Sequence, residues 1–143
     1  VVVYVTMWKS TWKMVSALTE TLLSEGINVE LYDLVSADLG EIAKDLVDSK
    51  AIVLGTPTVL GGAHPLAVSA AYLVRALRPP LKFGAFLSSY GWGGGALRQI
   101  QEILGLLKIE AVGAVETHGP PTEGDLTKVV ELSKTLAEKV RGS

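Results

Sequence analysis

The chain has 143 residues, of which 48% are hydrophobic and 20% are charged, and its formal net charge at pH 7 is -2. This length and composition are typical of one globular domain, residues 1–143, with a hydrophobic core. The absence of cysteine excludes disulfides, Fe–S clusters, Cys-ligated zinc and a thiol nucleophile, and the net charge, without any Lys/Arg run, gives no support for nucleic-acid binding.

Apolar runs and helical patterns alternate along the chain. Strands are predicted at 1–5, 29–32, 51–55, 83–87 and 110–115, and helices at 11–24, 38–47, 65–77, 96–107 and from 122 onward. Asp38 with Glu41 resembles a capping box, Pro65 suits a first helical position, and Thr122 caps the last helix. Five such units predict an α/β, flavodoxin-like fold. Its doubly wound parallel sheet has five strands and helices on both faces; the pattern alone does not give the strand order, and 2-1-3-4-5 is expected because it is the commonest order for five strands.

No stretch of the chain indicates a membrane span, a signal peptide or a metal site. The apolar runs are far shorter than the roughly 20 residues that cross a bilayer, and no charged segment precedes the first strand. The two histidines, His64 and His118, are too few for a typical His-rich metal site. We therefore expect a cytoplasmic protein. Because position 1 is not Met, a processed chain or a piece of a longer one is also considered.

The first candidate site segment joins the first strand to the first helix. It consists of Thr6, Met7, Trp8, Lys9, Ser10 and Thr11. Three hydroxyls and one positive charge stand where the free N–H groups and the positive dipole end of a helix converge, an arrangement that suits a phosphate. The alternative is that Ser10 or Thr11 only caps the helix, a role worth about 1 kcal/mol.

Two further loops follow the third and fourth predicted strands and are expected at the same sheet edge. Residues 56–65 are Thr-Pro-Thr-Val-Leu-Gly-Gly-Ala-His-Pro, and the glycines permit positive φ beside a ligand. Residues 88–95 are Ser-Ser-Tyr-Gly-Trp-Gly-Gly-Gly, in which Tyr90 and Trp92 suit stacking on a planar heterocycle. The alternatives are a rigid turn for one loop and a protein-binding patch for the other. Together the three loops predict a flat aromatic ligand that carries a phosphate.

The segments TMWKST, GTPTVLGGAHP and SSYGWGGG resemble those of flavodoxins, most closely the flavodoxin-like domain of flavodiiron (A-type) flavoproteins. The likeness extends over essentially the whole chain and implies FMN as the cofactor. It implies that the first segment, residues 6–11, binds the FMN phosphate. The residues implied on one side of the isoalloxazine ring are Pro57, Thr58, Val59, Leu60, Gly61 and Gly62. Those implied on the other side, reaching the pyrimidine edge, are Ser89, Tyr90, Gly91, Trp92, Gly93 and Gly94.

The same resemblance implies a function in electron transfer between a reduced donor and an acceptor protein or domain, with no catalytic residue and no metal in the chain itself. A backbone group near Gly61 and Gly62 would hydrogen-bond flavin N5 according to redox state. Two positions depart from the family pattern. Lys9 stands where a small or polar residue is usual, and Gly95 where an acidic or polar one is usual. His64 is expected to be structural or solvated, as lone loop histidines commonly are.

Other functions are weighed against this one. A phosphorylation-dependent receiver module needs an acidic pair after the first strand and an acceptor Asp after the third, and Thr6, Met7 and Thr56 occupy those places. An FMN-dependent quinone or NAD(P)H oxidoreductase, with a homo-oligomer completing its site, stays open, as does a flavin-free scaffold that binds proteins. The chain has no diiron domain and no His/Asp/Glu cluster in its place. Oxidoreductase activity is therefore expected only when the chain is joined to a catalytic partner or domain.

Overall fold

The computed structural model describes residues 1–7, 9–90 and 95–143. Strands and helices alternate along these ranges. The strands are β1 (Val2–Tyr4), β2 (Leu31–Asp33), β3 (Ala51–Val59), β4 (Gly62–Ala63), β5 (Phe83–Tyr90) and β6 (Glu110–His118). The helices are α1 (Ser10–Ser24), α2 (Leu39–Leu46), α3 (Pro65–Leu77), α4 (Ala96–Leu104) and α5 (Glu123–Arg141).

The main sheet is parallel, with the strand order β2-β1-β3-β5-β6. This is the predicted order 2-1-3-4-5, so the flavodoxin-like fold is confirmed. The short strand β4, which the sequence pattern did not predict, pairs antiparallel with the end of β3 and forms a hairpin with it. The remaining connections are crossovers through helices, as a parallel sheet requires.

Helices cover the sheet on both faces, as predicted, and each face has its own core. On one face α2, α3 and α4 contribute buried side chains such as Ile42, Ala71 and Ile100. On the other face α1 and α5 pack together, with Met14 and Leu136 among the buried residues. The strands lie between these two apolar layers, which explains why their central residues form continuous apolar runs.

Several predicted strand ends are wrong, and in β3 and β5 the first residue beyond the predicted end is polar but buried. β3 and β5 continue past 55 and 87 because Thr56 and Ser88 are fully buried and remain paired in the ladder. β6 likewise extends to His118 instead of ending at 115. Pro57 is tolerated in β3 because the pairing with β1 has already ended at Gly55, which leaves β3 fewer ladder bonds to satisfy.

Other boundaries differ at the ends of elements. β2 covers Leu31–Asp33 instead of 29–32, and α4 ends at Leu104 instead of 107. The predicted capping box at α2 is also incomplete: Asp38 accepts from Gly40 N at 2.7 Å, but the Glu41 carboxylate lies 3.3 Å from Lys44. By contrast, Thr122 and Asp125 form a full capping box at α5, with bonds of 3.1 and 2.9 Å.

Candidate functional site

The carboxyl edge of the sheet has a switch point between β1 and β3. These strands are neighbours, but the chain leaves β1 for α1 on one face and leaves β3 for α3 on the other. Ligands of open α/β sheets bind at such a crevice. The described residues of the three segments that the sequence analysis selected lie at or just beyond the carboxyl ends of β1, β3 and β5, and therefore at this edge of the sheet.

The first segment delivers the start of α1 to the switch point. Gly55 of β3 allows close packing there, since a Cβ on it would lie 2.9 Å from Val15 of α1. The helix begins at Ser10, and Lys9 is its N-cap residue, in the left-handed conformation (φ 62°) and without a side-chain capping bond. The hypothesis that Ser10 or Thr11 caps α1 is therefore wrong. The first N–H groups of a helix have no acceptor within it and carry partial positive charge, so they suit an anion.

The side chains of this segment differ in their exposure. Thr11 is fully buried and Ser10 is 6% exposed, whereas Met7 is 42% exposed. Thr6 accepts a hydrogen bond from Trp12 N at 3.3 Å, which orders the segment against the first turn of α1. Trp8, also predicted to bind the phosphate, lies outside the described residues.

The second segment contains a β-hairpin, formed by the end of β3 and β4, which the sequence pattern did not predict. Its turn residues, Leu60 and Gly61, both have positive φ, at 51° and 81°, and the flanking residues Val59 and Gly62 are paired. Positive φ at both central positions is the signature of a type I′ turn. The positive φ expected at a glycine is confirmed at Gly61. Leu60 adopts it without being glycine, and its side chain is fully exposed.

Hydroxyl pairs connect the first two segments to the end of β5. Thr11 Oγ1 lies 3.3 Å from Ser89 Oγ, and Thr58 Oγ1 lies 3.4 Å from Ser88 Oγ. Because Ser88 and Ser89 are adjacent in a strand, they face opposite sides of the sheet and each contacts a different segment. The structure thus brings described residues from each of the three predicted segments together at one edge of the sheet.

His64 has a structural role at the base of the hairpin. Its Nδ1 accepts from Leu66 N at 3.1 Å and so caps α3, and its backbone N–H donates to Thr56 Oγ1 at 3.0 Å. An accepting Nδ1 places the proton of the neutral imidazole on Nε2. Pro65 follows as the first helical residue, as predicted.

The third segment begins inside the sheet. Ser89 is a buried residue of β5, and Tyr90 is the last residue of that strand. The Tyr90 ring stacks on the His118 ring with a centroid distance of 5.1 Å and an interplanar angle of 10°. Sequence analysis missed His118 because the pairing of β5 with β6 was predicted to end earlier. The other candidates of this segment lie outside the described residues; they are Gly91, Trp92, Gly93 and Gly94.

The first turn of α4 also contacts the hairpin, which the sequence pattern did not indicate. Gly95 is the N-cap residue, and a Cβ built on it would lie 2.1 Å from the carbonyl oxygen of Gly61. Gln99 Oε1 accepts from Ala63 N at 2.8 Å. A glutamine on an amphipathic helix carries no local signal of such a contact, because its partner is distant in sequence.

The residues present fit a phosphorylated planar ligand. The start of α1 offers backbone N–H donors, and the exposed Lys9, which forms no ion pair with another described residue, adds a positive charge. The hairpin continues from the end of β3, and β5 pairs with β3 on the side away from β1.

Within 1–7, 9–90 and 95–143, no group of three or more His, Asp or Glu residues could hold a metal. No helix within the same ranges has the length and apolar character needed to cross a membrane. A cavity of about 450 Å³ lies at the opposite edge, beside the starts of β1 and β3, where parallel sheets do not normally bind ligands.

Comparison with known proteins supports the resemblance. The chain is 34% identical over 145 residues to a nitric oxide reductase of Moorella thermoacetica, covering 98% of this chain and 36% of that protein. The structure of rubredoxin:oxygen oxidoreductase from Desulfovibrio gigas matches with a TM-score of 0.93 and 27% identity, over 99% of this chain and 35% of that one. A flavodoxin from the domain Archaea matches with a TM-score of 0.82 and 26% identity, over 98% and 96% of the two chains.

These similarities cover this chain almost completely but only part of the larger proteins. The chain spans about a third of the length of the curated relatives it matches, 36% and 35% for the first two. No protein-family model matches it. The predicted similarity to flavodoxins and to flavodiiron proteins is confirmed at the level of fold and sequence likeness.

Proposed function

We propose that residues 1–143 are one FMN-binding electron-transfer domain. The observation that carries the proposal is the switch point, where the start of α1, the β3–β4 hairpin and the end of β5 meet in a flavodoxin-like fold. FMN has a phosphate and a planar ring, so it requires an anion site beside a cleft, which is the combination proposed here. The similarity to flavodoxins and flavodiiron proteins, both flavoproteins by name, points to the same cofactor.

In this proposal the first segment holds the phosphate. The N–H groups at the start of α1 donate to it, the Thr6 and Ser10 hydroxyls are near enough in sequence to add donors, and Lys9 supplies a counter-charge. Thr11, being buried and paired with Ser89, supports the segment from beneath. The residues of the first segment that we propose for the phosphate site are those predicted from the sequence: Thr6, Met7, Trp8, Lys9, Ser10 and Thr11.

The ring of FMN would occupy the space between the hairpin and the segment after β5. The proposed residues on the hairpin side are Pro57, Thr58, Val59, Leu60, Gly61 and Gly62. On the other side they are Ser89, Tyr90, Gly91, Trp92, Gly93 and Gly94. When bound, FMN supplies one- and two-electron transfer. The protein binds and orients the ring, limits its contact with water, and presents backbone donors and acceptors to its edge.

The electron donor and acceptor are proposed to be other proteins or domains, in the cytoplasm. Among the relatives are a nitric oxide reductase and a rubredoxin:oxygen oxidoreductase, and each is about three times as long as this chain. We propose that the chain carries electrons for a catalytic site of that kind, which lies outside residues 1–143. Substrate turnover would then require that partner or domain.

The visible absorption spectrum of the purified protein tests this proposal, together with a titration of the apoprotein by FMN. The expected result is a yellow protein with two flavin bands that releases FMN on denaturation, or an apoprotein that quenches FMN fluorescence with one-to-one stoichiometry. A colourless protein that leaves the fluorescence of added FMN unchanged would overturn the proposal and favour a flavin-free scaffold.

The phosphate position has its own test. Lys9→Gln should raise the Kd for FMN about threefold to tenfold by removing one charge-assisted contact. Lys134→Gln is the matched control, because it makes the same charge change at an exposed site on α5. Equal Kd values for the two variants would contradict the placement of the phosphate beside Lys9.

A further inference from the structure

One buried backbone N–H of the β3–β4 hairpin depends on a side chain of α4. In a two-residue hairpin the pair next to the turn, Val59 and Gly62, exchanges the ladder hydrogen bonds. The next pair, Thr58 and Ala63, is then of the non-hydrogen-bonded kind, so the Ala63 N–H points away from β3. Ala63 is only 7% exposed, and a buried N–H needs an acceptor. Gln99 Oε1 provides it at 2.8 Å.

Two glycines make this contact sterically possible. A Cβ on Gly62 would lie 2.7 Å from Gln99 Oε1, so a larger residue would push the amide away from the hairpin. A Cβ on Gly95 would lie 2.1 Å from the Gly61 carbonyl oxygen. The first turn of α4 therefore contacts the hairpin at its turn and at its second strand. These contacts fix the conformation of a turn in which Leu60 has an unfavourable positive φ.

We propose that Gln99 is a positioning residue for the FMN site, acting through the Ala63 N–H to hold the β3–β4 hairpin in its binding conformation. This inference rests on the proposed function. A loop already held in the bound conformation loses less freedom on binding, which strengthens affinity. Hydrogen bonds to the ring nitrogens tune flavin potentials, so displacement of the hairpin backbone would also change the relative affinity for oxidised and reduced FMN.

The test compares Gln99→Met with Gln101→Met. Both replace glutamine by a side chain of similar length that lacks the amide oxygen, and Gln101 is exposed on the same helix. In Gln99→Met we expect faster hydrogen exchange of the Ala63 amide in the apoprotein and a Kd for FMN about threefold to tenfold higher. We also expect a shift in the FMN midpoint potential, which a merely structural loss would not cause. In Gln101→Met the exchange rate of the Ala63 amide, the Kd for FMN and the FMN midpoint potential should all stay at the wild-type values. Gln99→Glu, which keeps an acceptor oxygen, should restore protection of the Ala63 amide.

The outcomes separate this inference from the proposed function. If wild-type protein binds FMN and Gln99→Met matches Gln101→Met in Kd and midpoint potential, the positioning role is refuted while the proposed function stands. If the wild-type apoprotein does not bind FMN, the proposed function fails, and the positioning role for FMN fails with it. Unchanged exchange of the Ala63 amide in Gln99→Met would refute the role independently, because it shows that the hydrogen bond does not hold the hairpin.

Discussion

Replacement of Gly95 by alanine tests how closely α4 is packed against the hairpin. Gly95 has φ 145° and ψ -22°, a combination outside the regions that L-residues adopt. The added Cβ would lie 2.1 Å from the Gly61 carbonyl oxygen. Because that oxygen belongs to the backbone, no side-chain rotation can relieve the contact. The two backbones would have to separate.

The expected cost has two parts. An alanine forced into this conformation costs about 1–3 kcal/mol, and overpacking that requires a backbone shift costs about 1–3 kcal/mol more. We therefore expect Gly95→Ala to lower the free energy of unfolding by about 2–6 kcal/mol. A typical domain has about 5–15 kcal/mol in total, so the loss would be large.

Urea unfolding of the apoprotein, followed by far-UV circular dichroism, measures this loss. Gly26→Ala is the matched control: Gly26 also has positive φ, at 79°, but no atom lies within 4 Å of its added Cβ. That variant should lose only about 1–2 kcal/mol for the left-handed conformation. If the two variants lose the same free energy, the close approach of α4 to the hairpin is not a real constraint and the reasoning is refuted.

Three further predictions concern single side-chain hydrogen bonds. Thr56→Val removes a fully buried hydroxyl and leaves the His64 backbone N–H without its acceptor. Urea titration should therefore show that the free energy of unfolding falls by about 1–3 kcal/mol. The hydrogen bond to Asp45 raises the pKa of Tyr32 from 10.0 to about 12. The stabilisation from this hydrogen bond is therefore complete below pH 10 and is lost as the pH rises toward 12. The difference in free energy of unfolding between the wild type and Tyr32→Phe should shrink across that pH range. The backbone hydrogen bond at the α5 N-cap holds the pKa of Asp125 below its usual 3.8. The wild-type advantage over Asp125→Asn should therefore be present above that pH and disappear as the pH falls through the folded-state pKa, whereas a constant difference would contradict the capping role.

The layout of the fold could be predicted because its signals are local. The apolar runs around Val3, Leu54 and Phe86 mark strands covered on both faces, and all three side chains are buried. The apolar spacing of α1 and α5 predicts helices that pack on a sheet. Given five parallel strands, short crossovers leave few possible strand orders.

The details of the candidate site could not be predicted, since they depend on contacts between distant segments. Thr56 and Ser88 have the composition of a loop, but pairing of β3 with β5 places them inside the sheet. Positive φ at Leu60 contradicts the preference of leucine, so only the hairpin geometry identifies it. The contact of Gln99 with Ala63 joins residues 36 positions apart and has no sequence signature.

A comparison of FMN with riboflavin tests the central claim most directly. The two flavins share the isoalloxazine ring and differ in the phosphate, which the account places at the start of α1 beside Lys9. Fluorescence titration of the wild-type apoprotein should give a Kd for FMN at least about a hundredfold below that for riboflavin, because several charge-assisted hydrogen bonds reach the phosphate. Equal affinity for the two flavins, or binding of neither, would contradict the claim that the carboxyl edge of this sheet is an FMN site.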